Sequence, residues 1–328
     1  MKKIGLVILV LCLVASISLF AGGKKEGEGE KMVFGVIQPG PDPWYQYSVK
    51  AFTELAEQNG VEVVYLNSEY NQDKDIANME DLIAQGVDAI SVFPMTADLG
   101  TQYIDKAKAA GIPIIFEAVT PPGNPDDYVT VVSYSYAMIG GLVAEYVHDN
   151  HPGAKMAYIT GKPGAGIVEA YTDGVKGTLE KLNSSVELVS VQSTDWDRMQ
   201  AMEITENLLQ SGMELDVIFA NNEDMAGGVI QVLKEADMLG EISVVATGGS
   251  PEGIQLIKAG ELEATACASA GLEGALCFMA AMKHLEGKSV PKLLNPPVFM
   301  ATTKNIDTAV TWEVSDALIE AAENFKFD

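Results

Sequence analysis

Positive charge is scarce in this chain: 21 of 328 residues are Lys or Arg against 46 Asp and Glu, a formal net charge of −25 at pH 7. Binding to nucleic acid draws its affinity from neutralising phosphates with Lys and Arg, so that class of partner is excluded. Cysteine is scarce too. Cys12, Cys267 and Cys277 are the only three and show no CxxC spacing, so no thiol-based metal or redox motif is present. Cys267 falls in an apolar strand-like run and Cys277 on a helix-like run, and two buried thiols are expected in preference to a disulfide. The three histidines, His148, His151 and His284, are scattered among helix ends without ligand spacing. No metal and no cofactor is expected. Proline is limited to 14 residues and apolar residues reach 48%, a balance that excludes a disordered chain.

Long hydrophobic runs are also missing. The longest, Ile4 to Phe20, falls short of the ~20 residues of a membrane span and is broken by Gly5, Ser16 and Ser18. With Lys2 and Lys3 before it and Ala21-Gly22 after it, residues 1–21 read as an export signal, and the chain is expected to be periplasmic or tethered at the cell envelope. Cleavage, an uncleaved anchor and lipidation at Cys12 stay open; Leu9-Val10-Leu11 lacks the small residue usual before a lipidated Cys. The stretch "GGKKEGEGEK", residues 22–31, has no apolar residue and reads as a solvated tether.

Beyond it, short apolar runs such as "MVFGVI", "VEVVYL", "DAISVF" and "IPIIF" alternate with amphipathic helical stretches, and the rhythm resumes with "AKMAYIT", "VELVSVQ", "LDVIFA", "ISVVAT" and "LEATACA". This is the pattern of parallel sheets with helices on both faces, and so many strands divide into two doubly wound α/β domains. The break falls near residues 130–136. No catalytic motif stands out: "GKPGAG" (161–166) lacks both the GxGxxG order and a terminal GK[ST], and Ser250 before Pro251 suits a helix cap rather than a nucleophile.

Ligands of open α/β sheets bind beyond the carboxyl ends of the strands. The residues following successive runs are Asp42, Trp44, Tyr45, Glu117, Tyr134, Glu169, Trp196 and Asn222, with Glu223 and Gly248 beside them. Aromatic planes and groups able to make paired hydrogen bonds dominate this set, which contains neither Lys nor Arg. Asp42 and Pro43 suit the start of a helix whose inward stripe is Val49, Phe52, Leu55 and Ala56, leaving Trp44 and Tyr45 off the stripe in the first turn. Core packing is the alternative account of Trp44 and Trp196.

The segments "DPWYQ", "AGIPII", "TDWDR", "VIFANNEDMAGG" and "VVATGGSPEG" together resemble the ribose and galactose type of periplasmic substrate-binding proteins, whose fold is shared by the effector domains of LacI-type repressors. The resemblance spans about Val33 to Met300. It implies two α/β domains joined by a three-strand hinge, residues 32–133 plus 269–298 and 134–268 plus 299–328, with crossings near Ser133, Ala268 and Phe299. It implies a monomer that serves the membrane permease of an ABC transporter. By position, Trp44 and Tyr45 match an aromatic pair that stacks on a sugar ring, Trp196 a third aromatic, and Asp42 and Asn222 polar ligand contacts. Glu117 stands where the family usually has Asp. The sequence also departs from the family: Ala118, and Glu169 with Tyr171, stand where arginines are common, and Gly248 replaces an Asp. What remains is acidic and aromatic, which suits a neutral or cationic small polar ligand, a sugar or polyol with or without an amine, and opposes a phosphorylated one. Two other readings are a ligand-sensing subunit for a receptor kinase or chemoreceptor, and a cleft hydrolase using Glu117 and Glu169.

Overall fold

The computed structural model describes residues 31–327; the export signal expected at 1–21 and the tether at 22–30 lie outside the described residues. The first lobe opens with β1 (Val33–Gln38), α1 (Pro43–Gln58), β2 (Glu62–Asn67), α2 (Gln72–Gln85), β3 (Ala89–Val92), α3 (Ala97–Ala110), β4 (Ile114–Glu117) and β5 (Thr130–Val132). The second follows with α4 (Tyr136–Asn150), β6 (Lys155–Thr160), α5 (Ile167–Lys181), β7 (Glu187–Ser193), α6 (Arg198–Gln210), β8 (Val217–Ala220), α7 (Glu223–Glu235), β9 (Ser243–Gly248), α8 (Pro251–Lys258) and β10 (Ala264–Cys267). The chain then returns through α9 (Ala270–Leu285) and β11 (Leu293–Leu294), crosses to β12 (Phe299–Ala301) and ends with α10 (Asp316–Glu323).

Two six-stranded sheets result, in the orders β11-β5-β4-β3-β1-β2 and β12-β10-β9-β8-β6-β7. Every pairing is parallel except that of β12 with β10. The near-continuous apolar strands follow from this, because a parallel sheet buries both faces. In β1, Phe34 and Val36 enter one core with Phe52 and Leu276, while Ile37 enters the opposite core with Leu82 and Tyr103. The second sheet is flanked in the same way, by α6, α7 and α8 on one face and α4 and α5 on the other. The α/β fold is therefore as the residue pattern implies. Cys267 and Cys277 are free and buried.

The tail departs from expectation. Residues 299–308 stay with the second sheet, but Leu318 and Ala322 of α10 are buried in the first lobe's core against α9. The chain thus passes between the lobes a fourth time, near Trp312.

Candidate functional site

Two close helix contacts place the aromatic residues. A Cβ on Gly274 would lie 2.0 Å from the Ser48 carbonyl oxygen, so only glycine lets α9 approach α1 this closely, setting Glu273 beside Trp44. In the second lobe a Cβ on Gly174 would lie 2.0 Å from the Ala137 carbonyl oxygen. That contact brings the first turn of α4 against α5, and the rings of Tyr136 and Tyr171 sit 5.3 Å apart.

The carboxyl ends of the two sheets meet in a small apolar cluster: Phe93, Ala118 and Val119 from the first lobe, packed by Trp44 and Tyr45 of that lobe and by Tyr136 and Ile167 of the second. Tyr45 stands edge-on to Phe93 at 5.0 Å, and Trp44 edge-on to Tyr134 at 6.1 Å. Trp44 Nε1–H donates to Glu273 Oε2 at 2.9 Å. The pair of first-turn aromatics therefore forms a wall between the lobes rather than part of one core.

The other positions singled out by sequence separate into committed and uncommitted side chains. Glu117 is 1% exposed and accepts from Gln38 Nε2, Ser48 Oγ and Ser91 Oγ at 2.9, 2.8 and 2.9 Å. Burial raises its pKa above the usual carboxylate range, and those three donors oppose the rise. Tyr134 OH donates to the Ser269 carbonyl and accepts from the Ser269 amide, both at 2.8 Å, tying two inter-lobe crossings together. Asn222 Oδ1 caps α7 through the Met225 amide at 2.8 Å. Glu169 is exposed and accepts from the Gly164 amide at 2.9 Å. Asp42 occupies the N-cap of α1 without making a cap bond; its carboxylate accepts from Tyr70 OH instead. The capping role expected of Asp42 is thus replaced by a tether to the loop after β2. An acid–base pair of Glu117 and Glu169 has no support, since one is sealed under three donors and the other is held on an exposed turn.

Trp196 lies at φ +64°, a left-handed conformation that costs a bulky residue about 1 kcal/mol or more. The indole lies against Gly161, where a Cβ would come within 2.2 Å of its ring carbons. Glu223, at the start of α7, is buried and accepts from the amides of Gly249 and Ser250 and from Thr265 Oγ1 at 2.7, 2.6 and 2.7 Å. A Cβ on Gly248 would lie 2.6 Å from Glu223 Oε2. The carboxylate of Glu223 thus fills the space that a side chain at 248 would need.

Three buried polar atoms have no partner among the described residues: Gln38 Oε1, Asn221 Nδ2 and Glu273 Oε1. None of the three residues was among the sequence candidates. Gln38 ends β1 and Asn221 follows β8, polar residues closing apolar runs, and Glu273 is the lone acid in "CASAGLEGALCFMAAM". A polar side chain inside an otherwise apolar run is the signal that could have found them. Asn221 Oδ1 is held by Tyr158 OH at 3.0 Å, which leaves the amide nitrogen free to donate. Among the described residues no group of three or more His, Cys, Asp or Glu is placed to hold a metal ion.

A family model described as periplasmic binding protein domain matches residues 34–289. The ribose import binding protein of Bacillus subtilis (strain 168) is 27% identical over 312 residues, covering 93% of this chain and 100% of that protein. The xylitol-binding protein of Mycolicibacterium smegmatis is 27% identical over 266 residues, 80% of this chain and 74% of that one. Among solved structures, an ABC transporter solute binding protein from Bacillus halodurans C-125 with bound myo-inositol superimposes with a TM-score of 0.79 at 27% identity, covering 86% of this chain and 98% of that one.

Proposed function

The chain belongs to the periplasmic binding protein family, and from that premise we propose that it is an exported protein that captures a small polyhydroxylated ligand between its lobes and presents it to the permease of an ABC importer. The observation that carries this reading is the cluster of Trp44, Tyr45 and Phe93 facing Tyr136 and Ile167 across the lobes, with three unpartnered buried polar atoms near the same strand ends. Aromatic faces suit the C–H faces of a sugar or polyol ring, and the unpartnered amide and carboxyl groups suit its hydroxyls. The relatives named for ribose and xylitol and the structure holding myo-inositol support the same ligand class.

A phosphorylated or carboxylated ligand is disfavoured by charge. The nearest cations in sequence are already paired: Lys162 with Asp195 at 3.0 Å, and Arg198 with Glu252 and Asp224 at 2.8 and 3.5 Å. Closure of the lobes over the ligand would proceed by rotation about the crossing segments. Within this reading Trp44, Tyr45 and Trp196 are the ring contacts, and Gln38, Asn221 and Glu273, whose buried atoms are unpartnered, are the polar contacts in preference to the committed Glu117, Asn222 and Glu169. Isothermal titration against sugars, pentitols, cyclitols and their amino derivatives tests the proposal. Saturable binding with compaction in small-angle scattering is expected, and a protein that binds none of these compounds and nothing else small would sink it.

A further inference from the structure

Glu273 is a carboxylate without a counter-charge. It lies in the first turn of α9, 0% exposed, with Oε2 taken by the Trp44 indole N–H; Oε1 makes no hydrogen bond of good geometry, and the Ala118 backbone N–H, itself bonded to the Val132 carbonyl, is near enough to favour the ionised form. The titratable groups that sense it are Glu117, Tyr45, Tyr134, Tyr136, Tyr171 and Cys277, which come from α1, β4, the β5–α4 crossing, α4, α5 and α9 itself. None of them carries positive charge in either protonation state. Beside it, Glu117 accepts from Gln38 Nε2, which fixes the Gln38 amide with its carbonyl oxygen unpartnered, a second buried acceptor in the same neighbourhood. Burial, and then the charge of Glu117, push the Glu273 carboxyl well above its ordinary range, which favours the neutral acid until a cation is placed beside it.

Resting on the reading of the cleft as a ligand site, we propose that the ligand is a polyhydroxylated ring bearing a protonated amine, and that Glu273 receives the ammonium while Gln38 Oε1 accepts from a neighbouring hydroxyl or the same nitrogen. A neutral ring would satisfy the Gln38 carbonyl equally well but would bring no cation to the buried pair of carboxyls Glu273 and Glu117. An ammonium supplies the missing counter-charge, and Trp44, Tyr45 and Tyr136, which pack in the same inter-lobe cluster, have π faces that attract a cation. The exchange balances: neutral Glu273 and a cationic amine enter, the carboxylate–ammonium pair forms, and the displaced proton passes to solvent.

The test is calorimetry on the full chain with matched pairs: D-glucosamine and D-glucose, D-galactosamine and D-galactose, scyllo-inosamine and scyllo-inositol. Each is titrated at about pH 6 in two buffers of different ionisation enthalpy, alongside native mass spectrometry of the protein after exposure to complete growth medium. The expected result is a preference of about tenfold or more for the amine of at least one pair, with release of about one proton per ligand bound. Glu273→Gln should abolish both the preference and the release, and because the proton count is made on the wild type, the outcome does not depend on that variant folding. Equal or tighter binding of the neutral member, capture of a neutral polyol from the medium, or amine binding without proton release overturns the amine assignment and leaves the ligand-site reading standing. If no member of any pair binds and nothing small is retained from the medium, both fall.

Discussion

Replacing Trp312 with Phe probes how the lobes are held. Trp312 sits on the fourth inter-lobe passage, 8% exposed, and its Nε1–H is shared between the Gly248 carbonyl at 3.0 Å and the Ala268 carbonyl at 2.8 Å. Its ring stands edge-on to Trp44 at 5.1 Å and to Tyr47 at 5.9 Å. One side chain therefore joins the end of β9, the β10–α9 crossing and the aromatic wall of α1. In the Phe variant the Gly248 oxygen keeps its bond from the Ala268 amide at 2.8 Å, whereas the Ala268 oxygen loses the indole donor. A buried carbonyl stripped of its donor costs about 1–3 kcal/mol. The lost ring volume adds about 1 kcal/mol, while the edge-on contacts survive in weaker form. The sum, about 2–4 kcal/mol, corresponds to a fall in melting temperature of about 3–6 °C for a chain of this size.

Differential scanning calorimetry measures that fall, and titration with whichever ligand saturates the wild type measures the second consequence. Trp44 is positioned by Trp312 on one side and Glu273 on the other, so affinity should drop by about threefold to tenfold even though Trp312 is not a ligand contact in the proposed site. A variant that melts within about 1 °C of wild type and binds equally well would refute the reasoning, because it would mean that the shared hydrogen bond and the ring contacts carry no net free energy.

Trp196→Gly removes the indole and releases the left-handed strain at φ +64° together, so affinity should fall by about 1–3 kcal/mol while the melting temperature changes little; a large loss of stability with unchanged affinity would mark Trp196 as a core residue instead. Glu117, Glu223, Glu273 and Asp75 all have pKa values raised in the fold, burial being the first cause for each. A carboxyl raised on folding destabilises the native state above its unfolded value, so stability should increase as pH falls from neutral toward the ordinary Glu value of 4.5, as followed by urea unfolding. Below that range the trend should reverse, because Glu263, although burial works against it, is held low by hydrogen bonds from Ser243, His151 and Tyr146, and loses that stabilisation once protonated. Stability that declines steadily from pH 7 downward would contradict this assignment of the buried carboxyls.

The alternation of apolar runs with amphipathic stretches was legible because parallel strands buried on both faces leave no polar face to blur the signal. Trp44 and Tyr45 were legible for a related reason: first-turn aromatics outside the helix stripe of Phe52, Leu55 and Ala56 have no core of their own to enter. Position at a strand end does not reveal what a side chain is already bonded to. Asn222 caps α7 and Glu169 holds the Gly164 amide, whereas the adjacent Asn221, one residue nearer the strand, keeps an amide nitrogen free. Local spacing also gave no hint of the return of α10, since Leu318 and Ala322 would bury equally well against either lobe and only the α9 surface decides.

Glu273 and Glu223 show why departures from a family pattern have to be read together. An absent carboxylate at 248 reads, by itself, as a weakened sugar site. In space Glu223 already occupies that volume, bonded to the amides of the β9–α8 turn and to Thr265 of β10, so it acts there as a structural brace. In the proposed site the acid comes instead from α9, where Glu273 is anchored by an indole on one oxygen and unpartnered on the other. A carboxylate that accepts from an aromatic N–H and is approached through aromatic side chains is shaped to discriminate by charge, whereas a solvated strand-end Asp discriminates by hydroxyl geometry. That shift, rather than the count of acids, is what separates the ligand preference proposed for this chain from that of a protein built to hold a neutral ring.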